Sequence, residues 1–171
     1  WQSNRPTEPR GPYVCPYVAE LPRQMRELTL YLPTYTPLAD LYIGIDREAE
    51  PASPSAYRLP RPIVLCCTSI RQGGGCARAA TGLVPVDDRE IGVDVVNLGF
   101  SGNGKGEPEM ARLVSEIDAA CFVMDSVANM PPELMRERYE NFVRTVREAR
   151  PEMPIVLMTR FNYGSENYGG T

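Results

Sequence analysis

The sequence predicts an α/β fold built on a parallel sheet and preceded by a short β-rich segment. Three observations carry this. Four short apolar runs (62–67, 93–98, 120–125 and 154–159) lack strict alternation, as strands covered on both faces do. Helix-period stretches separate them, and parallel neighbours need such right-handed crossovers. The first three runs also end in small, polar, hydrogen-bonding residues: Thr68-Ser69-Ile70-Arg71-Gln72-Gly73, Gly99-Phe100-Ser101-Gly102-Asn103-Gly104 and Ser126-Val127-Ala128-Asn129. In an open parallel sheet such strand ends line one crevice, where these folds bind ligands.

In chain order, residues 1–24 are rich in Pro and Arg, and proline removes amide donors and disfavours helix before it. Extended, irregular chain is expected there. Leu28, Leu30 and Leu32 then alternate with Thr29 and Tyr31, and Leu41, Ile43 and Ile45 with Tyr42 and Gly44. Period two predicts two half-buried strands, which need a larger module or a surface to pack on. Pro51, Pro54 and Pro60 mark a linker. The expected division is therefore a partial β-rich segment and linker at 1–58 and an α/β domain at 59–171. Within the latter, Pro108 suits a first helical turn, with Met110, Leu113, Val114 and Ile117 as its apolar stripe. Pro131 and Pro132 open the longest helix, with Met135, Tyr139, Phe142, Val143, Val146 and Ala149 facing inward. Arg136/Glu140 and Glu140/Arg144 make pairs on its outer face. Residues 77–92 hold a short helix before Gly92. The polar, glycine-rich tail 161–171 carries no strand signal, so the sheet looks unfinished and the chain is expected to be a piece of something longer.

Composition narrows the function. The 171 residues are 43% hydrophobic and 23% charged, with a net charge of −4, which argues against nucleic acid or anionic membrane as the main partner. No apolar run approaches the roughly 18 residues of a membrane span. Five cysteines without a C-x-x-C, and no histidine, argue against a zinc site and a disulfide framework. Cys66, Cys67 and Cys121 read as small core hydrophobes. The missing histidine also removes the usual base of a serine hydrolase. Compartment and oligomeric state stay open.

Three residues at the strand ends could surround one carbonyl. Ser69 follows a buried strand and can project into the crevice; its bland reading is a turn or N-cap serine. Gly102 lies among Gly99, Gly104 and Gly106, where its amide can point at a ligand; its bland reading is a plain strand-to-helix turn. Asn129 offers a side-chain NH₂; its bland reading is an N-cap or Asx-turn residue. A competing motif, Gly99 to Lys105, matches the phosphate-loop spacing G-x-x-x-x-G-K, with Asp125 as a candidate metal-binding acid. Gly106 replaces its Mg²⁺-binding hydroxyl, and Glu107 and Glu109 place carboxylates where phosphate needs positive potential.

Together the three segments resemble the SGNH (GDSL-type) hydrolases. Thr68-Ser69-Ile70-Arg71-Gln72-Gly73 is similar to that family's first block, Asn97-Leu98-Gly99-Phe100-Ser101-Gly102-Asn103 to its second, and Asp125-Ser126-Val127-Ala128-Asn129-Met130 to its third. Tyr31-Leu32-Pro33 and Leu41-Tyr42-Ile43-Gly44 resemble the small β-domain that precedes the hydrolase domain in one bacterial subgroup. The resemblance implies a flavodoxin-like three-layer α/β/α fold with sheet order 2-1-3-4 and a fifth strand beyond. It implies Ser69 as nucleophile, with an oxyanion hole from the amides of Ser69 and Gly102 and the Asn129 side chain. The implied reaction is hydrolysis of a small acyl ester or acetylated carbohydrate through an acyl-serine, without cofactor or metal. Cys67 stands where the family usually has Gly, Arg71 where it has Thr, and Val127 and Met130 where Gly and Asp flank the third-block Asn. Arg71 is expected to add a charge beside the site. The fourth block, D-x-x-H, is absent, so the chain is expected to be cut before it and to turn over little by itself. The alternatives are a non-catalytic module that binds a glycan or acyl ester, and the phosphate-loop nucleotide binder.

Overall fold

The computed structural model describes residues 13–16, 19–74, 76, 82 and 90–159. At its centre runs β1 (Ile63–Cys67), a run of Ile, Val, Leu and Cys buried from Val64 onward. On either side lie β2 (Val95–Gly99) and β3 (Cys121–Asp125), with β4 (Ile155–Leu157) beyond β3. All pairings are parallel, as the apolar runs predict, and the order is β2-β1-β3-β4, as the resemblance implies. The register sets Ile63 level with Val95 and Cys121, and Cys67 level with Gly99 and Asp125.

One face of the sheet carries the core. Val64, Cys66, Phe122 and Met124 pack with Ala111 and Val114 of α2 (Pro108–Glu116) and with Phe142 and Val146 of α3 (Pro132–Ala149). Phe122 and Phe142 stack with ring centroids 5.9 Å apart, which adds a favourable aromatic contact to their burial. Both helices begin where the prolines place them, because proline's fixed φ suits the first turn and its missing amide costs nothing there. The other face, with Ile63, Leu65, Val95 and Val123, borders an apolar cleft that Arg71, Ile91 and Val93 also line. The described residues thus place two helices on one face of the sheet. Most of the short helix expected at 77–92 lies outside them, although Glu90 and Ile91 are helical and lead into Gly92 at φ +67°. The tail 161–171 also lies outside them.

Several expectations change. Leu28, Leu30, Leu32, Leu41, Ile43 and Ile45 form no strand and are 41–73% exposed. Alternation marks a potential face, but nothing among the described residues covers this one, and an uncovered pair of strands is not stable alone. In α2, Leu113 points outward and the small Ala111 takes the buried position. Ala149, in the last turn of α3, is exposed. Cys66 and Cys67 are both buried at the end of β1, in the small core role the sequence suggests. No helix among the described residues is long and apolar enough to cross a membrane.

On α3, Tyr139 is half-buried, and burial, with the negative Asp125 adding to it, pushes its phenol above the ordinary value. The unfolded chain therefore loses this proton first as pH rises. The associated stability is complete below about pH 10 and is lost as pH climbs through the folded value. Tyr139→Phe is expected to flatten the fall in urea midpoint between pH 9 and pH 11.

Candidate active site

The parallel register brings the three strand ends to one edge of the sheet. Ser69 lies two residues beyond Cys67, Gly102 three beyond Gly99 and Asn129 four beyond Asp125, on the central strand and its two neighbours. Ser69 opens α1 (Ser69–Gln72), whose N-cap is Thr68 and whose first amides have no partner within the helix. Gly73, at φ +93°, ends this turn in the left-handed conformation that glycine adopts without strain. The Gly74 amide then donates to the Ser69 carbonyl at 2.6 Å.

After β2 the chain makes a tight loop in which nearly every amide is accounted for. Gly99 donates to Asn97 Oδ1 at 3.0 Å, Phe100 to the Cys67 carbonyl at 2.9 Å, Ser101 to Gln72 Oε1 at 2.5 Å and Asn103 to the Phe100 carbonyl at 3.1 Å. The Gly102 amide alone within 99–103 donates to none of the described residues, and the residue is exposed at φ +72°. Two residues on, Gly104 sits against β1 at φ +66°, where an added Cβ would fall 2.1 Å from the Cys67 carbonyl oxygen. Gly104→Ala combines that clash with a strained backbone. A loss of about 2–3 kcal/mol is expected, measurable as a lowered urea midpoint with unchanged slope.

Asn129 ends a 3₁₀ turn (Val127–Asn129) that leaves β3. It caps nothing, since Pro131 takes the N-cap of α3. Its Nδ2 instead donates to the Asn103 carbonyl, tying the third strand end to the Gly102 loop. One amide proton remains for another acceptor. Next to Asp125, the Ser126 hydroxyl is fully buried without a hydrogen-bond partner among the described residues.

Beneath Ser69 lies a network that sequence reasoning missed. Arg71 is 7% exposed rather than a charge beside the site, and its Nε donates to Asp125 Oδ2 at 3.1 Å. The Thr68 hydroxyl donates to the same oxygen at 3.3 Å. Arg71 also reaches Met158 Sδ beyond β4, and its carbonyl accepts from Asn97 Nδ2 at 2.8 Å. The two residues flanking Ser69 and Ile70 are thus held by the end of β3. One signal could have found this: an acid ending an otherwise apolar strand requires a buried cationic or hydrogen-bonding partner. The phosphate-loop reading loses support at the same place, because Asp125 is occupied by Arg71. The Lys105 amide is also occupied, by Glu107 Oε2 at 2.8 Å, where such a loop would present amides to phosphate.

Residues 60–167 match the profile of the GDSL-like lipase/acylhydrolase family, and the chain belongs to that family. Among solved structures it is similar to a protein described as a GDSL-like lipase from Bacteroides ovatus, with 33% identity and a TM-score of 0.61. That match covers 64% of this chain and 32% of the other. A salicylyl-acyltransferase from a tetracycline biosynthetic pathway aligns at 22% identity and a TM-score of 0.46, over 57% of this chain and 30% of its own. The chain therefore spans about a third of the length of these proteins. No curated protein sequence matches. The α/β fold with its four-stranded parallel sheet in the order 2-1-3-4 is that of the SGNH hydrolases.

Proposed function

We propose that residues 59–171 carry the nucleophile and oxyanion hole of a serine ester hydrolase, with 1–58 as a separate preceding segment. Ser69 Oγ attacks the ester carbonyl. The developing oxyanion is received by the amides of Ser69 and Gly102 and by Asn129 Nδ2, and the alcohol leaves with a proton. Water then cleaves the acyl-serine and releases the acid. A small acyl ester or an acetylated carbohydrate is the substrate class that the family suggests, and no step calls for a cofactor or metal. The observation that carries this reading is the unpartnered Gly102 amide, in a loop whose neighbouring amides are all satisfied and which Asn129 holds from the other side.

These 171 residues contain no histidine, so no imidazole among them can activate Ser69, and little or no turnover is expected from them alone. The same absence favours the second reading, a module that binds a glycan or acyl ester and releases it unchanged. Intact-mass spectrometry of the native-length protein with a fluorophosphonate separates the two. One adduct on Ser69, absent from Ser69→Ala, is expected for the hydrolase. No adduct, together with saturable binding of an unconsumed ester, establishes the module.

A further inference from the structure

We propose that Gln72 is a positioning residue of this site: one end of its carboxamide holds the Gly102 loop, and the other holds residues 33–36 as an outer wall beside Ser69. The kinetic part of this proposal rests on the ester-hydrolase reading; the structural part does not.

Gln72 ends α1 and is half-buried. Its Oε1 accepts from the Ser101 amide at 2.5 Å, and its Nε2 donates to the Thr34 carbonyl at 3.0 Å. A carboxamide has one accepting and one donating end, and turning it over would set oxygen against oxygen and NH₂ against N–H. Both bonds therefore depend on glutamine in this orientation. Ser101 precedes Gly102, and a Cβ added at Gly102 would meet nothing within 4 Å. The side of Gly102 that a Cβ would occupy is open, and the hydrogen bonds of its neighbours fix the loop around it. The Ser101–Gln72 bond alone among them ties the loop to the helix that Ser69 opens, so the Gly102 amide and the Ser69 hydroxyl keep a common frame. Catalytic groups displaced by about 1 Å lose rate steeply, so this frame matters for chemistry.

The other end of the clasp seats the wall. The Thr34 methyl lies 3.7 Å from the position a Cβ would take at Gly73. The Tyr35 hydroxyl lies 2.9 Å from the corresponding position at Gly74, a point that is itself 3.2 Å from Ser69 Cβ. Residues 34 and 35 thus rest on the nucleophile turn where two glycines leave room for them. The Tyr35 ring is 55% exposed, and its hydroxyl bonds to none of the described residues. It stands open to the part of a substrate that extends past Ser69.

Hydrogen exchange at the Ser101 amide and steady-state ester hydrolysis, both on the native-length protein, test the assignment. Gln72→Met keeps the side chain's length and loses both bonds. Exchange at Ser101 is expected to speed up about fivefold or more, the worth of one hydrogen bond. The expected fall in kcat is about 10- to 100-fold, less than removal of an oxyanion donor outright, with KM changed less than about threefold. Gln72→Glu keeps the accepting end and is expected to retain Ser101 protection, which gives a reading even if the methionine variant does not fold. Tyr35→Phe is expected to raise KM and leave kcat and Ser101 exchange unchanged. Wild-type exchange at Ser101 in Gln72→Met, or its loss in Gln72→Glu, overturns the clasp. Unchanged kcat in Gln72→Met overturns its positioning role, and unchanged KM in Tyr35→Phe overturns the wall. If Ser69→Ala hydrolyses as fast as wild type, the hydrolase reading has failed, and the exchange data still judge the clasp.

Discussion

Ser69→Ala is expected to lower ester hydrolysis by the native-length protein about 10⁴-fold or more while leaving its thermal midpoint nearly unchanged. The size follows from chemistry. Without the hydroxyl no acyl-serine forms, and only the oxyanion donors and substrate binding remain to assist attack by water. The small effect on stability follows from position. Ser69 is half-buried at the head of a four-residue turn, and its hydroxyl bonds to none of the described residues, so its removal strands no buried group. Paired kcat/KM and melting measurements check both halves. Equal hydrolysis by the two proteins would falsify the nucleophile assignment.

Asp125→Ala is expected to do the reverse and unfold the domain more readily by about 3–5 kcal/mol. Arg71 and Asp125 are 7% and 2% exposed at the side chain, so deleting the carboxylate strands a guanidinium in the interior and removes an acceptor from Thr68. Asp125→Asn keeps an acceptor oxygen for both donors and is expected to recover part of the loss. Urea titration of the three proteins decides the point. An Asp125→Ala midpoint within error of wild type would show that the pair contributes no net stability. Because Thr68 and Arg71 bracket the Ser69 turn, the alanine variant should also lose fluorophosphonate labelling under conditions where it is still folded.

Much of this is legible in the residues themselves. The apolar runs of β1 and β3 stand out because each has a strand on either side and a face packed under helices, and the two proline-led helices because proline marks a first turn. Boundaries move where the local pattern is weak. The run at 93–98 becomes Val95–Gly99, and that at 154–159 shortens to Ile155–Leu157, at the sheet's edge. The Leu28–Ile45 region misleads for a different reason: alternation reports a two-sided chain and says nothing about what covers either side. Leu113 misleads because an apolar residue at the margin of a helical stripe need not face inward, and close packing against α3 selects the smaller Ala111.

The polar contacts were beyond the reach of local reasoning. Asn129 looks like a cap beside two prolines, yet its partner Asn103 is 26 residues away. Arg71 looks like an exposed charge in a turn, yet its partner Asp125 is 54 residues away. Which of these residues meet is set by the level ends of three parallel strands, a property of the assembled sheet.

Those level ends imply an asymmetry in what kind of genetic change the site survives. A residue inserted within β1, β2 or β3 would advance one strand end by about 3.3 Å and turn its side chains over to the opposite face. Ser69, Gly102 or Asn129 would then be carried out of line while every residue at the site was still present. Substitutions here can be graded one at a time, but insertions and deletions in these strands cannot. Among relatives, length variation should therefore gather in the connections between the strands, and the site should drift in chemistry before it drifts in spacing.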